Sequence, residues 1–413
     1  MGKLKWLYPG MFIKRWIFLT AAGIVFVAMG FAMVISEKTP GNKTFAAIII
    51  IMGGLIVVTG VSRIVKSLVT VFIPDRDREG QLVEKIYQKR ILEKGPRIVT
   101  IGGGTGLSTL LQGLKEYTSN ITAVVTVADD GGSSGRLREQ LNVLPPGDIR
   151  NCLVALADAG PLMEKLFQFR FHDGKDLKGH NFGNLFITAM SKVTGDFEQA
   201  VKASSKVLAI RGSVVPATLT KVVLKARHKD GTETIGESKI PENKSPIERM
   251  YISPPDSRPT VEALEAIKKA QVITLGPGSL YTSVMPNLLI DGMYEAIMQS
   301  KAIKIYVCNV MTQAGETDSY KASDHIKAIE EHTGRGIVDY CIVNMGKVPE
   351  DLLEKYKGEG AYAVTADEEG ARALGCEIIK ANIIDTKDFV RHDPYKLAKI
   401  IIDLLSALKK HNV

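Results

Sequence analysis

The sequence predicts an α/β protein: a doubly wound, Rossmann-like parallel sheet with a small antiparallel insertion, preceded by an N-terminal transmembrane helical hairpin. Three observations carry this. Residues 16–36 and 44–62 are apolar runs without a charge; from Arg97 a strand, a glycine loop, a helix and a second strand follow in order; and short β-branched runs then alternate with helically spaced segments to the C-terminus. A chain of 413 residues with 45% hydrophobic content can form two or three domains, and that composition excludes a disordered or collagen-like protein.

The first 73 residues read as the hairpin. At ~1.5 Å per residue the two runs make helices of roughly 31 and 28 Å, close to the ~30 Å hydrocarbon core of a bilayer. A cleaved signal peptide has a shorter apolar core and no second span behind it. Lys3, Lys5, Lys14 and Arg15 precede the first run and Arg63 and Lys66 follow the second. By the positive-inside rule both ends lie in the cytoplasm, which puts the remaining mass on the cytoplasmic side of the cell membrane. Trp6, Tyr8 and Trp16 are suited to the interface. Residues 74–95 alternate charge sign and space apolar side chains helically, as an amphipathic linker or a solvated spacer would.

Charge sharpens this division. The chain has 53 Lys+Arg against 45 Asp+Glu, and residues 1–95 hold 14 and 6 of them, so the entire +8 excess lies in the hairpin and linker. Residues 96–413 are formally neutral, which argues against a nucleic-acid partner. Cys152, Cys308, Cys341 and Cys376 are too scattered for a zinc knuckle or a disulfide framework and read as buried thiols in a reducing compartment.

The soluble part, 96–413, opens with RIVTI as a strand, GGGTGLS as a loop, STLLQGLKEYT as a helix and ITAVVTVA as a second buried strand. VITL at 272–275, IKIYVCNV at 303–310 and YCIVN at 340–344 supply further strands. TVEALEAIKKA, SDHIKAIEEHT and DPYKLAKIIIDLLSALKK supply helices. Residues 214–240 alternate β-branched side chains around an Asp230-Gly231 turn and read as an antiparallel hairpin, an inserted subdomain.

Chemistry concentrates at strand ends. Gly102, Gly103, Gly104, Thr105 and Gly106 join a strand to a helix, where backbone N–H groups and the helix dipole can hold a phosphate; the alternative is a tight βα turn without ligand. The loop is not the dinucleotide fingerprint, which needs glycine where Leu107 stands, and no Gly-Lys-Ser/Thr follows to make a P-loop. Asp129 and Asp130 end the second strand. They could accept sugar or ribose hydroxyls, hold Mg²⁺ near a diphosphate, or cap a helix. Ser133 and Ser134 follow in a second polar loop, then Asp148, Arg150 and Asn151, then His180, Asn181 and Asn184 at a loop-to-helix junction; a histidine such as His180, taken alone, is more often structural than a ligand. Gly276, Gly278 and Ser279 form a third glycine turn, with Tyr281 and Thr282 behind it. Three glycine loops converging on one sheet edge are far more specific than any one of them.

IGGGTGLSTLLQGLK, TVADDGGSSGRLR, PPGDIRNCLVALA, GHNFGNLFITA, GPGSLYTSVMPNLL and NVMTQAGET, in that order, resemble the gluconeogenesis-factor (YvcK-like) family, related to the 2-phospho-L-lactate transferases (CofD-like). The likeness covers roughly residues 96–410 and leaves the hairpin outside. It implies a cytoplasm-facing protein that binds a nucleotide-sugar, UDP-N-acetylglucosamine in relatives, and supports cell shape and wall synthesis during gluconeogenic growth. It also implies that Tyr356 and Arg391 meet the uridine and diphosphate ends; read without it, Tyr356 is a surface aromatic and Arg391 a helix-end charge. Partners then include the nucleotide-sugar, the membrane, a homo-oligomer and envelope-synthesis proteins. With no nucleophile paired to a base, a regulator without turnover is the leading reading. The alternative is a CofD-like transferase moving a phosphoryl or phospho-acyl group from a nucleotide-activated donor, with Asp129 or Asp130 orienting the acceptor.

Overall fold

A computed structural model of the chain describes residues 14–36, 40–72, 90–386 and 389–411. The linker expected over 74–95 lies mostly outside these residues. The chain divides into two compact units, Met1–Gln88 and Lys89–Val413.

The first unit is a pair of helices, α1 (Lys14–Ser36) and α2 (Pro40–Phe72). Apolar spans of 21 and 25 residues within them, Arg15–Ile35 and Lys43–Ser67, are long enough to cross a membrane, and few of their side chains are buried. The second helix continues past Ser62, where the charge-free run ends, because Arg63 and Lys66 carry strong helix propensity and need no apolar surroundings. Glycines set the pairing. A side chain at Gly53 would stand 2.9 Å from the Gly23 carbonyl, and one at Gly30 would stand 3.1 Å from that of Ala46. Gly23 and Gly30, like Ala46, Gly53 and Gly60, are seven residues apart, so small residues face one another on every second turn and let the backbones approach. At one end Trp16 lies beneath the guanidinium groups of Arg15 and Arg63, 5.2 and 5.3 Å from its ring centre.

The second unit is built on seven parallel strands: β1 (Ile98–Gly102), β2 (Ile121–Val125), β3 (Ser213–Pro216), β7 (Val272–Leu275), β8 (Ile303–Val307), β9 (Tyr340–Asn344) and β10 (Glu377–Ala381), in the order β10-β9-β8-β7-β1-β2-β3. All five residues of β1 are buried, as a strand covered on both faces requires. The order reverses between β1 and β7, and a crevice opens there at the carboxyl ends of the strands. Helix Gly104–Leu114 packs on the sheet through Leu107, Leu110, Leu111 and Leu114, one face of a 3.6-residue repeat. The C-terminal helix Pro394–His411 closes over it, buried at Leu397, Ala398, Ile401 and Leu405. All four cysteines are free and buried.

The expected hairpin over 214–240 is only partly right. Val214–Pro216 belongs to β3, an edge strand of the main sheet. The antiparallel piece is β4 (Val223–His228), β5 (Glu233–Ile235) and β6 (Ile247–Ser253), with the Asp230-Gly231 turn between its first two strands. An edge strand and a hairpin strand share the same β-branched alternation, so periodicity could not divide them. IKIYVCNV likewise ends as strand at Val307, and its last residues turn into the crevice.

Candidate functional site

The crevice is a cleft of about 380 Å³ between five chain segments. One wall is the loop after β1, Gly103–Gly106, which opens helix Gly104–Leu114. The first N–H groups of that helix have no partner within it and point their positive dipole end at the cleft. The floor is the turn after β7, with Gly278, Ser279 and Ser283. These loops touch: a side chain at Gly106 would meet the Pro277 carbonyl at 2.6 Å, so only glycine lets them close. The far wall is the segment after β8, Asn309–Gln313. Opposite stand Tyr356, on helix Glu350–Gly358, and Val390, Arg391 and His392, the last two forming β12 (Arg391–His392), which pairs antiparallel with β11 (Ile384–Asp385).

Thus Gly103–Gly106, Gly278, Ser279, Tyr356 and Arg391, spread from one end of the soluble unit to the other in sequence, line one cavity. The Tyr356 hydroxyl accepts from the Val390 N–H at 3.3 Å, which ties the aromatic to the β12 segment. Arg391 is exposed and lies over the Phe389 ring, 5.1 Å from its centre, with no hydrogen bond from its N–H fork to the described residues. Burial holds His392 down at about 4, and its Nε2 donates to the Cys308 carbonyl at 3.1 Å, so it is neutral at physiological pH.

A second cluster adjoins the glycine loop. The Gly104 N–H donates to Asp148, and a side chain on Gly103 would stand 2.5 Å from the Asp148 Oδ2. Desolvation, reinforced by the Asp129 charge, pushes Asp148 up to about 7. Asp129 is raised by burial, against the bonds it accepts from the Gly131 N–H and the Ser134 hydroxyl. Asp130 accepts from the Ser238 N–H at 2.9 Å, which docks the antiparallel insertion and brings Glu237 over the cluster. Burial first, then the charges of Asp129, Asp148, Asp130 and Glu316, push Glu237 up to about 8. Gly131 caps helix Gly132–Leu141, so neither aspartate is its cap. Among the described residues no three His, Cys, Asp or Glu side chains are set to hold one metal ion. Asp129 and Asp130 each commit their Oδ1 to a backbone N–H, those of Gly131 and Ser238.

Arg150 lies beside these acids with its Nη2 donating to Asn151 at 2.6 Å, while its buried Nε has no partner among the described residues. Ser133 bonds His180 Nδ1 at 3.1 Å, and Ser134 accepts from Asn184 at 3.4 Å. Asn181 caps helix Phe182–Thr194 through the Asn184 N–H. These groups frame the acid cluster rather than the cleft. Gly102 and Gly276 sit behind the cleft, joined to the sheet through backbone bonds. Tyr281 turns into the core against the Tyr320 hydroxyl at 2.8 Å, and Thr282 donates to the buried Glu316 at 3.3 Å. Sequence reasoning missed Asn309, Gln313, Glu237 and Glu316. Asn309, Gln313 and Glu316 all fall in the NVMTQAGET motif and could have been singled out; nothing in the insertion's sequence marked Glu237.

A family profile described as 2-phospho-L-lactate transferase CofD matches residues 98–384. The gluconeogenesis factor of Bacillus subtilis is 50% identical over 75% of this chain and 98% of its own. A gluconeogenesis-factor relative from Clostridium acetobutylicum is 48% identical over 98% of this chain and 92% of its own, so its match includes the two apolar helices. The crystal structure of protein BH3568 from Bacillus halodurans superposes with a TM-score of 0.73 at 50% identity, over 75% of this chain and 99% of that one.

Proposed function

The chain belongs to the CofD family, among its gluconeogenesis-factor members, and from that premise we propose that it is a membrane-anchored, cytoplasm-facing regulator that binds a nucleotide-sugar of the UDP-N-acetylglucosamine kind and supports cell shape during gluconeogenic growth. One observation carries the reading: a helix N-terminus at the switch point of the sheet faces an exposed arginine and a tethered tyrosine across a cleft of about 380 Å³. That cleft offers backbone N–H groups and a guanidinium to a diphosphate, and an apolar, aromatic end to a base. Calorimetric titration of the chain with UDP-N-acetylglucosamine tests it. Saturable binding is expected, and absence of heat with every uridine nucleotide-sugar removes the proposal.

The acid cluster favours a second reading, a CofD-like transferase. Asp148, held near 7, is poised to take a proton from an acceptor hydroxyl beside the phosphate loop, while Glu237, held near 8, keeps its own proton at neutral pH. Release of nucleotide from a UTP- or GTP-derived donor in the presence of cell extract supports that reading; none above background rejects it. The anchor is tested separately. A chain lacking residues 1–88 moves from the membrane fraction to the soluble one, and continued sedimentation with membranes contradicts anchoring by the hairpin.

A further inference from the structure

The floor of the cleft is joined to its far wall by side-chain amides. Gln313 Nε2 donates to Ser279 Oγ at 2.7 Å, and Asn309 Nδ2 donates to Gln313 Oε1 at 3.0 Å. The Gln313 backbone is pinned in turn, its N–H donating to Thr317 Oγ1 at 2.9 Å. Asn309 and Gln313 are the amide side chains lining the cleft, next to the apolar wall of Val310 and Met311 and across from Tyr356. Asn309 is half-buried, and its Oδ1 makes no hydrogen bond with the described residues.

We propose that Ser279, Gln313 and Asn309 form a hydrogen-bond relay that selects uridine over cytidine diphosphates, with Asn309 as the specificity-determining residue. The proposal rests on the nucleotide-sugar reading above and adds how the base is chosen. Two amides in series between a hydroxyl and an open end have two self-consistent polarities. In one, Gln313 donates to Ser279 and Asn309 presents its oxygen to the cleft. In the other both amides are turned over, and Asn309 presents its NH₂.

Ser279 decides between them. Its hydroxyl has one proton, and when that proton goes to a phosphate oxygen the serine oxygen must accept from Gln313, which enforces the first polarity. Occupancy of the phosphate end thereby leaves an acceptor at Asn309. Uracil offers a donor, N3–H, to such an acceptor, whereas cytosine carries a lone pair on N3 and would set acceptor against acceptor. The relay thus converts a phosphate contact into a demand for an imide.

The full chain in detergent micelles is titrated with UDP, CDP and N3-methyluridine diphosphate. Wild type is expected to prefer UDP over both others by about tenfold or more, the worth of one well-made hydrogen-bonding pair, and Ser279→Ala or Gln313→Leu to compress that preference to within about threefold. Asn309→Asp, which can only accept, weakens all three ligands but keeps the preference, a result that mere loss of packing would not give. Equal binding of UDP and CDP by wild type, or an undiminished preference in Gln313→Leu, overturns the relay while leaving nucleotide-sugar binding intact. Failure of all three nucleotides to bind removes both.

Discussion

Replacing Asp148 by asparagine gives a quantitative test of the acid cluster. The carboxyl is held up at about 7 from an ordinary 3.8, by desolvation and then by the Asp129 charge. Ionising it in the folded chain therefore costs up to about 4 kcal/mol more than in the unfolded one. Because the folded value lies above the unfolded one, the folded chain binds the extra proton between them. The wild type thus loses stability as pH rises through that window and levels off above about 7. The substituted amide is isosteric, still accepts from the Gly104 N–H and does not titrate. The gain of Asp148→Asn over wild type should grow by about 3 kcal/mol between about pH 5 and about pH 8. Urea unfolding of Lys89–Val413 across that range measures it; the unit corresponds to nearly the whole of the Bacillus halodurans chain whose crystal structure is known. A difference between the two proteins that is the same at every pH would refute the assignment of a raised carboxyl to Asp148.

Three further outcomes are expected. UDP affinity should fall from about pH 6 to about pH 9, because deprotonating Asp148 and Glu237 adds negative charge beside the phosphate loop, and the fall should flatten in Asp148→Asn; calorimetry at each pH reads both. Arg391→Ala should weaken nucleotide-sugar binding by about tenfold or more with unchanged melting temperature, since the side chain is exposed and packs on the Phe389 ring at the surface. Gly53→Leu should part α1 from α2, because any side chain there meets the Gly23 carbonyl and Val27, and spin labels at the exposed Phe26 and Ile51 should report a longer separation.

Much of this architecture is legible in the sequence because period and punctuation agree. RIVTI followed by four glycines in five residues leaves little choice but a strand and a tight βα turn, and the three glycine turns mark the edge where the crevice forms. What could not be read is what long-range packing decides. Val214–Pro216 alternates like its neighbours, and only its place beside β2 makes it an edge strand. Asp130 reads as a ligand group, yet its carboxylate holds the insertion through Ser238, 108 positions away, and that contact delivers Glu237, a residue with no motif around it. Tyr281 has the polarity of a site residue, but Tyr320 satisfies its hydroxyl inside the core. Polar character singles out Asp130 and Tyr281, but whether such a side chain turns toward cleft or core depends on partners distant in the chain.

The central claim is that one cleft, at the reversal between β1 and β7, holds a nucleotide-sugar. A crystal structure of the protein with UDP-N-acetylglucosamine tests it most directly. The account predicts the diphosphate on the N–H groups of Thr105 and Gly106 with Arg391 against it, and the uracil between Tyr356 and Asn309. Ligand seated anywhere else, or a cleft that stays empty at saturating ligand, would contradict it.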